Sequence, residues 1–119
     1  MFSEILQQLL ADVPGARSAT VMGFDGIAIT TKDSMSADGT EAAAAVEVAA
    51  VTSQLKRAAE GIGAGDVLEI TLETDGLTTL LRPLTSEYCL AMTIGPEGLT
   101  GKGRYLMRIL APRIAAELA

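Results

Sequence analysis

The chain contains no histidine, no tryptophan and no asparagine, and a single cysteine. Without histidine there is no Ser-His or Cys-His nucleophile pair and no imidazole metal ligand. One cysteine excludes an internal disulfide framework and fits a reducing compartment, so a cytoplasmic location is expected. Two tyrosines and two phenylalanines cannot build a base-stacking platform, and a net charge of −6 argues against nucleic acid as a partner. No apolar run reaches the ~18 to 20 residues of a membrane span, so membrane insertion is not expected. The opening MFSEILQQLLADVPG has no basic region and carries Glu4 and Asp12, which is not the pattern of a secretory signal. A length of 119 residues predicts one domain over 1–119, able to bury about two-thirds of its unfolded surface.

What is present reads as alternating elements. Phe2, Ile5, Leu6, Leu9, Leu10 and Val13 recur at helical spacing, with Ser3 as the expected N-cap and Pro14-Gly15 as the stop. RSATVMGFDGIAITT then holds two β-rich runs around Phe24-Asp25-Gly26, whose Asp-Gly pair supplies a tight hairpin turn. A polar connection leads to a long helix over 38–60, capped by Asp38 with Glu41 three residues on, and ended by Gly61 and the glycines at 63 and 65.

Three strands follow. In VLEITLET, Leu68, Ile70 and Leu72 alternate with Glu69, Thr71 and Glu73. Asp75-Gly76 turns into LTTLLRPL, where Pro83 predicts an edge or a bulge. YCLAMTIG is apolar or small on both faces and reads as a central, doubly covered strand. A last helix carries Tyr105, Leu106, Ile109, Leu110, Ile114 and Leu118 as its apolar stripe, with a kink or break expected at Pro112. The order α-β-β-α-β-β-β-α is an α+β sandwich. Hairpin-length links make the five-stranded sheet antiparallel, with the long helix on one face and the other two helices on the opposite face.

The candidate chemical motifs fail on spacing. Gly101-Lys102 is followed by Gly103 where a phosphate-binding loop needs Ser or Thr, and Pro96 stands where its first glycine belongs. GIGAGD at 61–66 precedes a strand and reads as a helix stop. Asp25, Asp33 and Asp38 lack calcium-loop spacing and read as caps and turns. Cys89 reads as a small core residue. From residue 98 onward Lys102, Arg104, Arg108 and Arg113 face Glu117 alone, against fourteen acids and five bases before it. They read as cations on a solvated C-terminal helix, where they suit its dipole, with a mildly basic end that meets an acidic partner as the alternative. No catalytic residue, cofactor or metal site is assigned.

The long helix is the strongest positive signal. Between Glu41 and Lys56 its only charge is Glu47, so it lacks the polar face of a surface helix. At 100° per residue, Ala44, Val48, Val51, Leu55, Ala58 and Ile62 form a bulky stripe expected on the sheet. Ala42, Ala43, Val46, Ala49, Ala50, Ser53 and Arg57 form a small, largely uncharged arc that lets a second helix approach closely. A partner on that arc is the expectation.

The element order, the SATVMGFDGIAITT hairpin, the Ala-rich helix leaving through GAGD, and LTGKGRYLMRIL entering the last helix resemble the roadblock (dynein light chain) family, especially its small bacterial MglB-like members. Phe24-Asp25-Gly26-Ile27 is similar to the family's D-G-[LI] hairpin, and Ile62 to Asp66 to its exit from the central helix. Gly101 with Arg104 resembles its L-G-x-x-R start of the last helix, with Thr100 in place of the leucine.

The resemblance implies a profilin-like or longin-like homodimer. Its central helices pair (Ala42, Ala43, Val46, Ala49, Ala50, Ser53), and its sheets join edge to edge through Leu68, Glu69, Ile70 and Thr71. It further implies a non-enzymatic regulator of a small Ras-like GTPase of the MglA type, acting as activator or co-regulator, with Glu47, Gln54 and Arg57 as GTPase contacts. A scaffold without effect on GTP turnover and a small-ligand sensor are the alternatives. The sensor requires a cavity with convergent polar groups.

Overall fold

A computed structural model describes residues 2–119. Its elements run α1 (Ser3–Asp12), β1 (Ala16–Gly23), β2 (Ala28–Asp33), α2 (Thr40–Gly61), β3 (Ile70–Glu73), β4 (Thr78–Pro83), β5 (Tyr88–Ile94) and α3 (Thr100–Leu118). All strand pairs are antiparallel, in the order β2-β1-β5-β4-β3. β5 lies at the centre, as its two apolar faces require. One face carries α1 and α3 over Ala19, Val21, Leu80, Leu90, Met92 and Ile94. The other carries α2 over Met22, Leu81, Cys89 and Ala91. Among the described residues no helix is long and apolar enough to cross a membrane.

Local signals place most boundaries. Asp25 Oδ1 accepts the Ile27 N–H at 3.0 Å, and Gly26 takes φ +88°, so the hairpin turns where Asp-Gly stands. At the start of α2, Glu41 Oε1 accepts the N–H groups of Asp38 and Gly39, each at 3.0 Å. Asp38 Oδ1 accepts that of Thr40, and hydrogen bonding to Thr40 holds the Asp38 carboxyl below its ordinary range. The Asp38–Glu41 pair read in DGTE thus brackets the helix start, but Gly39, with φ +98°, occupies the cap position in place of Asp38, and α2 begins at Thr40. Ser3, by contrast, is already inside α1: Phe2 occupies the cap position and no side chain caps that helix.

Several expectations are corrected. β3 is four residues long, so Leu68 and Glu69 precede it rather than belong to it. The reading of Pro83 stands for the end of its strand, although β4 as a whole sits between β3 and β5. β3 pairs with β4 only as far as Ile70↔Leu81, so β4 has a single neighbour at Pro83 and its missing N–H breaks no ladder bond on the β3 side. α3 continues through Pro112, which is exposed, so the carbonyl it frees one turn earlier can be hydrated. Tyr105 and Ile109 are exposed, and the buried stripe of α3 is Gly103, Met107, Leu110, Ala111 and Ile114. Gly103 sets that rotation. A Cβ there would stand 2.7 Å from Ile94 Cδ1, so the helix approaches the sheet closely along this line.

Cys89 fills the floor beneath α2 with no exposure, and burial pushes its thiol up to about 12. Only on the order of one thiol in 10⁴ is then ionised at pH 8. Native protein is expected to leave a disulfide-exchange reagent unreacted at that pH, with one equivalent consumed once denaturant is added. Rapid native reaction would contradict the burial.

Candidate functional site

The outer face of α2 and the free edge of β3 form the candidate site. α2 lies on the sheet with Glu41, Ala45, Val48, Ala49 and Thr52 inward. Of the predicted bulky stripe only Val48 is buried. Ala44 is half-buried, Ala58 and Ile62 are exposed, and Val51 and Leu55 are 44% and 42% exposed. The helix is rotated by about a quarter turn from the expected orientation.

The sheet beneath α2 explains the rotation. It offers small groups, Cys89 and Ala91 beside Leu81 and Met22. A helix meets such a surface closely only through small side chains, and Ala45, Ala49 and Thr52 supply them. Thr52 satisfies its buried hydroxyl locally, donating to the Val48 carbonyl at 2.9 Å. The close approach expected of a second helix is therefore taken by the sheet. Ala45, Ala49 and Thr52, a small stripe at i, i+4, i+7 spacing, carried that signal in the sequence.

Of the predicted interface residues on α2, Ala42, Ala43, Val46, Ala50 and Ser53 are exposed. Ala49 is 2% exposed and belongs to the core beside Val48, so it is not available to a partner. Val46 faces the β1–β2 hairpin, where a Cβ on Gly26 would be 3.2 Å from Val46 Cγ1. Val51 and Leu55 project from the opposite flank of the helix, toward the β3 end of the sheet.

On β3, Ile70 is half-buried against the cluster under α2, and Leu72 follows on the same face, 51% exposed. Leu68 is exposed just before the strand, as is Ile62 beyond the end of α2. Val51, Leu55, Leu68 and Leu72 thus present apolar surface on the α2 side, next to the strand edge that nothing pairs. Leu72, Val51 and Leu55 were not among the predicted interface residues. Thr71 is exposed on the opposite face of that edge, opposite Leu80.

Glu69 is committed elsewhere. It accepts from Arg104 Nε at 2.8 Å, with Arg104 Nη2 at 2.7 Å and Arg82 at 4.0 Å, on the α3 side. This pairing raises the Arg104 guanidinium further above its ordinary value. Arg104 of the L-G-x-x-R-like motif therefore anchors the approach to β3. Glu47, Gln54 and Arg57 are exposed on the solvent side of α2. Glu47 and Gln54 are two turns apart, and Arg57 is one turn on from Gln54. Among the described residues none of them forms an ion pair or side-chain hydrogen bond. Lys56, between the two flanks, stacks over the Phe24 ring at 4.2 Å. The site has shape and apolar surface, and its chemistry is that of docking.

Residues 2–93 match the family model described as Roadblock/LC7 domain. Among solved structures the chain is similar to MglC from Myxococcus xanthus, at 34% identity over 98% of each chain with a TM-score of 0.70. MglB from Thermus thermophilus has the same fold at 19% identity, covering 97% of this chain and 88% of that one, TM-score 0.82. So has an MglB solved with a tetrameric arrangement, at 18% identity over 96% and 85%, TM-score 0.84. Among curated proteins, none matches. The family match over most of the chain, the shared sheet with its three helices, and the MglC identity lead to one conclusion: this chain belongs to the Roadblock/LC7 family.

Proposed function

We propose that this chain acts as one domain in the cytoplasm, forms a homodimer through α2 and β3, and in that form binds and regulates a small Ras-like GTPase of the MglA type without chemistry of its own. The carrying observation is the exposed apolar strip of Val51, Leu55, Leu68 and Leu72 beside an unpaired strand edge. A second copy covers such a strip and pairs such an edge at once. Likeness to MglC and MglB supports the GTPase as the further partner. Glu47, Gln54 and Arg57, exposed on the solvent side of α2, are its proposed contacts.

The test uses an MglA-type GTPase from the same genome, loaded with GDP or with a non-hydrolysable GTP analogue. Binding by calorimetry and single-turnover GTP hydrolysis are measured with and without this protein. Binding with faster hydrolysis identifies an activator, and binding with unchanged hydrolysis identifies a scaffold. Failure to bind either form sinks the reading. Arg57→Ala is expected to weaken binding about fivefold and to leave hydrolysis in the saturated complex unchanged, as a rim contact does. A loss of about a thousandfold would instead make Arg57 an arginine finger.

A further inference from the structure

The outer face of α3 is a second unpartnered surface, across the sheet from α2. The dimer and GTPase surfaces proposed above do not use it. α3 buries Gly103, Met107, Leu110, Ala111 and Ile114. The residues left outside repeat on a line of their own. Tyr105, Ile109, Pro112 and Ala116 follow one another at intervals of four, three and four, and all are exposed. That alternation is the heptad spacing of a helix seam, and here it faces away from the core. Tyr105 is 55% and Ile109 50% exposed, so the seam carries two large side chains followed by smaller ones.

Cations rim the seam. At 100° per residue Arg108 stands on one flank, and Lys102 and Arg113 stand on the other. All three are exposed, and among the described residues none forms an ion pair or a side-chain hydrogen bond. The helix dipole does not account for them. α3 has no acid in its first turn and no base in its last, and Lys102 stands in the first turn, where the dipole disfavours a cation. The Arg108 flank also borders a notch of about 170 Å³ between α3 and the end of β4, lined by Arg82 and Arg108 with Leu84, Ala111, Pro112 and Ala115. Arg82 reaches only Glu69, at 4.0 Å, beyond hydrogen-bond length. Arg104 already holds Glu69 at 2.7 and 2.8 Å. Arg82, Arg104 and Arg108 thus share this flank with one contacting carboxylate, which leaves an excess of positive charge.

Charge complementarity selects the occupant. The chain before residue 98 carries fourteen acids and five bases, so an anionic bilayer that attracted α3 would repel the rest of the molecule. A second copy offers no matching helix. Its α3 repeats the same cations. Its α1 exposes Glu4, Gln7, Gln8, Ala11 and Asp12, which form no apolar stripe, and the exposed Leu55 of its α2 is followed by Lys56 and Arg57. We propose that the outer face of α3 docks an amphipathic helix of another protein, one whose apolar stripe is flanked by Asp or Glu. The stripe packs on Tyr105 and Ile109. Its carboxylates meet Lys102 and Arg113 on one side and enter the notch between Arg82 and Arg108 on the other.

The test is calorimetry and amide-resonance mapping on the full chain. The probe is a synthetic helical peptide of about five turns, with Leu at its a and d positions and Glu at e and g. The same peptide with Lys in place of Glu, polyglutamate, and phosphatidylserine-containing vesicles are the comparisons. The Glu peptide is expected to bind saturably with a dissociation constant on the order of 10 to 100 μM and to shift the amides of Lys102, Tyr105, Ile109 and Arg113. The Lys peptide and polyglutamate should each bind at least about tenfold more weakly, the first for want of charge match and the second for want of an apolar stripe. Ile109→Glu and Arg108→Glu lie on the exposed face, should leave the circular dichroism spectrum unchanged, and should each weaken the Glu peptide by at least about tenfold. Lys32→Glu makes the same charge change as Arg108→Glu on the distant strand β2 and should stay within about twofold of the parent chain. An effect of Lys32→Glu as large as that of Arg108→Glu would reduce the interaction to net charge and overturn the proposal. So would equal affinity for the Glu and Lys peptides, shifts confined to α2, binding unchanged in Ile109→Glu, or binding to the vesicles without binding to the Glu peptide.

Discussion

Leu55→Glu is expected to yield a folded monomer. Leu55 is only partly buried, so the substitution leaves the core intact. In a two-fold interface each added charge enters twice, facing an apolar flank that includes its own symmetry mate. Placing unpaired carboxylates there should raise the dimer dissociation constant by at least about a hundredfold, roughly 3 kcal/mol. Sedimentation velocity at micromolar concentration reads the change, and circular dichroism confirms the fold. Ala50→Glu is the comparison. Ala50 points away from the sheet, further from the β3 flank than Leu55, so its effect should be smaller. A dimer that survives Leu55→Glu but falls apart with Ala50→Glu would move the interface back to the small arc. Survival of both would remove α2 from the interface.

The second large effect is on stability. Gly98→Ala should cost about 2 to 4 kcal/mol and lower the melting temperature by about 10 °C or more. The turn before α3 is bound to the turn after α1: Leu99 N–H donates to the Pro14 carbonyl at 3.0 Å and Gly95 N–H to the Gly15 carbonyl at 2.9 Å. At that crossing a Cβ on Gly98 would collide with Ile94 Cγ2, stand 2.8 Å from the Pro14 carbonyl oxygen and 3.2 Å from Gly15 Cα. Two of those three neighbours are backbone and cannot swing aside. Gly15 needs glycine twice over, since its φ is +81° and its own Cβ would strike Gly98 Cα. Gly101→Ala is the control. It lies in the first turn of α3 with nothing near its added methyl, so it should be neutral or slightly stabilising. Equal melting temperatures for the two variants would show that the glycines of GPEGLTGKG serve flexibility rather than close approach.

That loop marks a limit of reading along the chain. Its glycines were legible as turn residues and as a failed phosphate loop, because both judgements depend on spacing. Their mutual contact with Pro14-Gly15 was not legible, because it joins segments about eighty residues apart. Glu69 is a parallel case. Alternation placed it correctly on the face opposite Leu68 and Ile70, but its two arginine partners come from β4 and α3.

The candidate site divides the same way. That α2 lacks a polar face, and so needs cover on two sides, follows from composition and the helical period alone. So do the Asp38–Glu41 pair at its start, the Asp-Gly hairpin, the antiparallel sheet with β5 at its centre, and the split of one helix against two. These are local or periodic properties, set by hydrogen bonds and side-chain spacing within a few residues. Which side of α2 meets the sheet was decided only by the tertiary structure. The strands beneath it present Cys89 and Ala91, so Ala45, Ala49 and Thr52 pack inward, while Val51 and Leu55 are left to a partner. A helix's preferred face is not a property of the helix. It is the face whose side chains complement the surface already opposite, and that surface is assembled from strands distant in sequence.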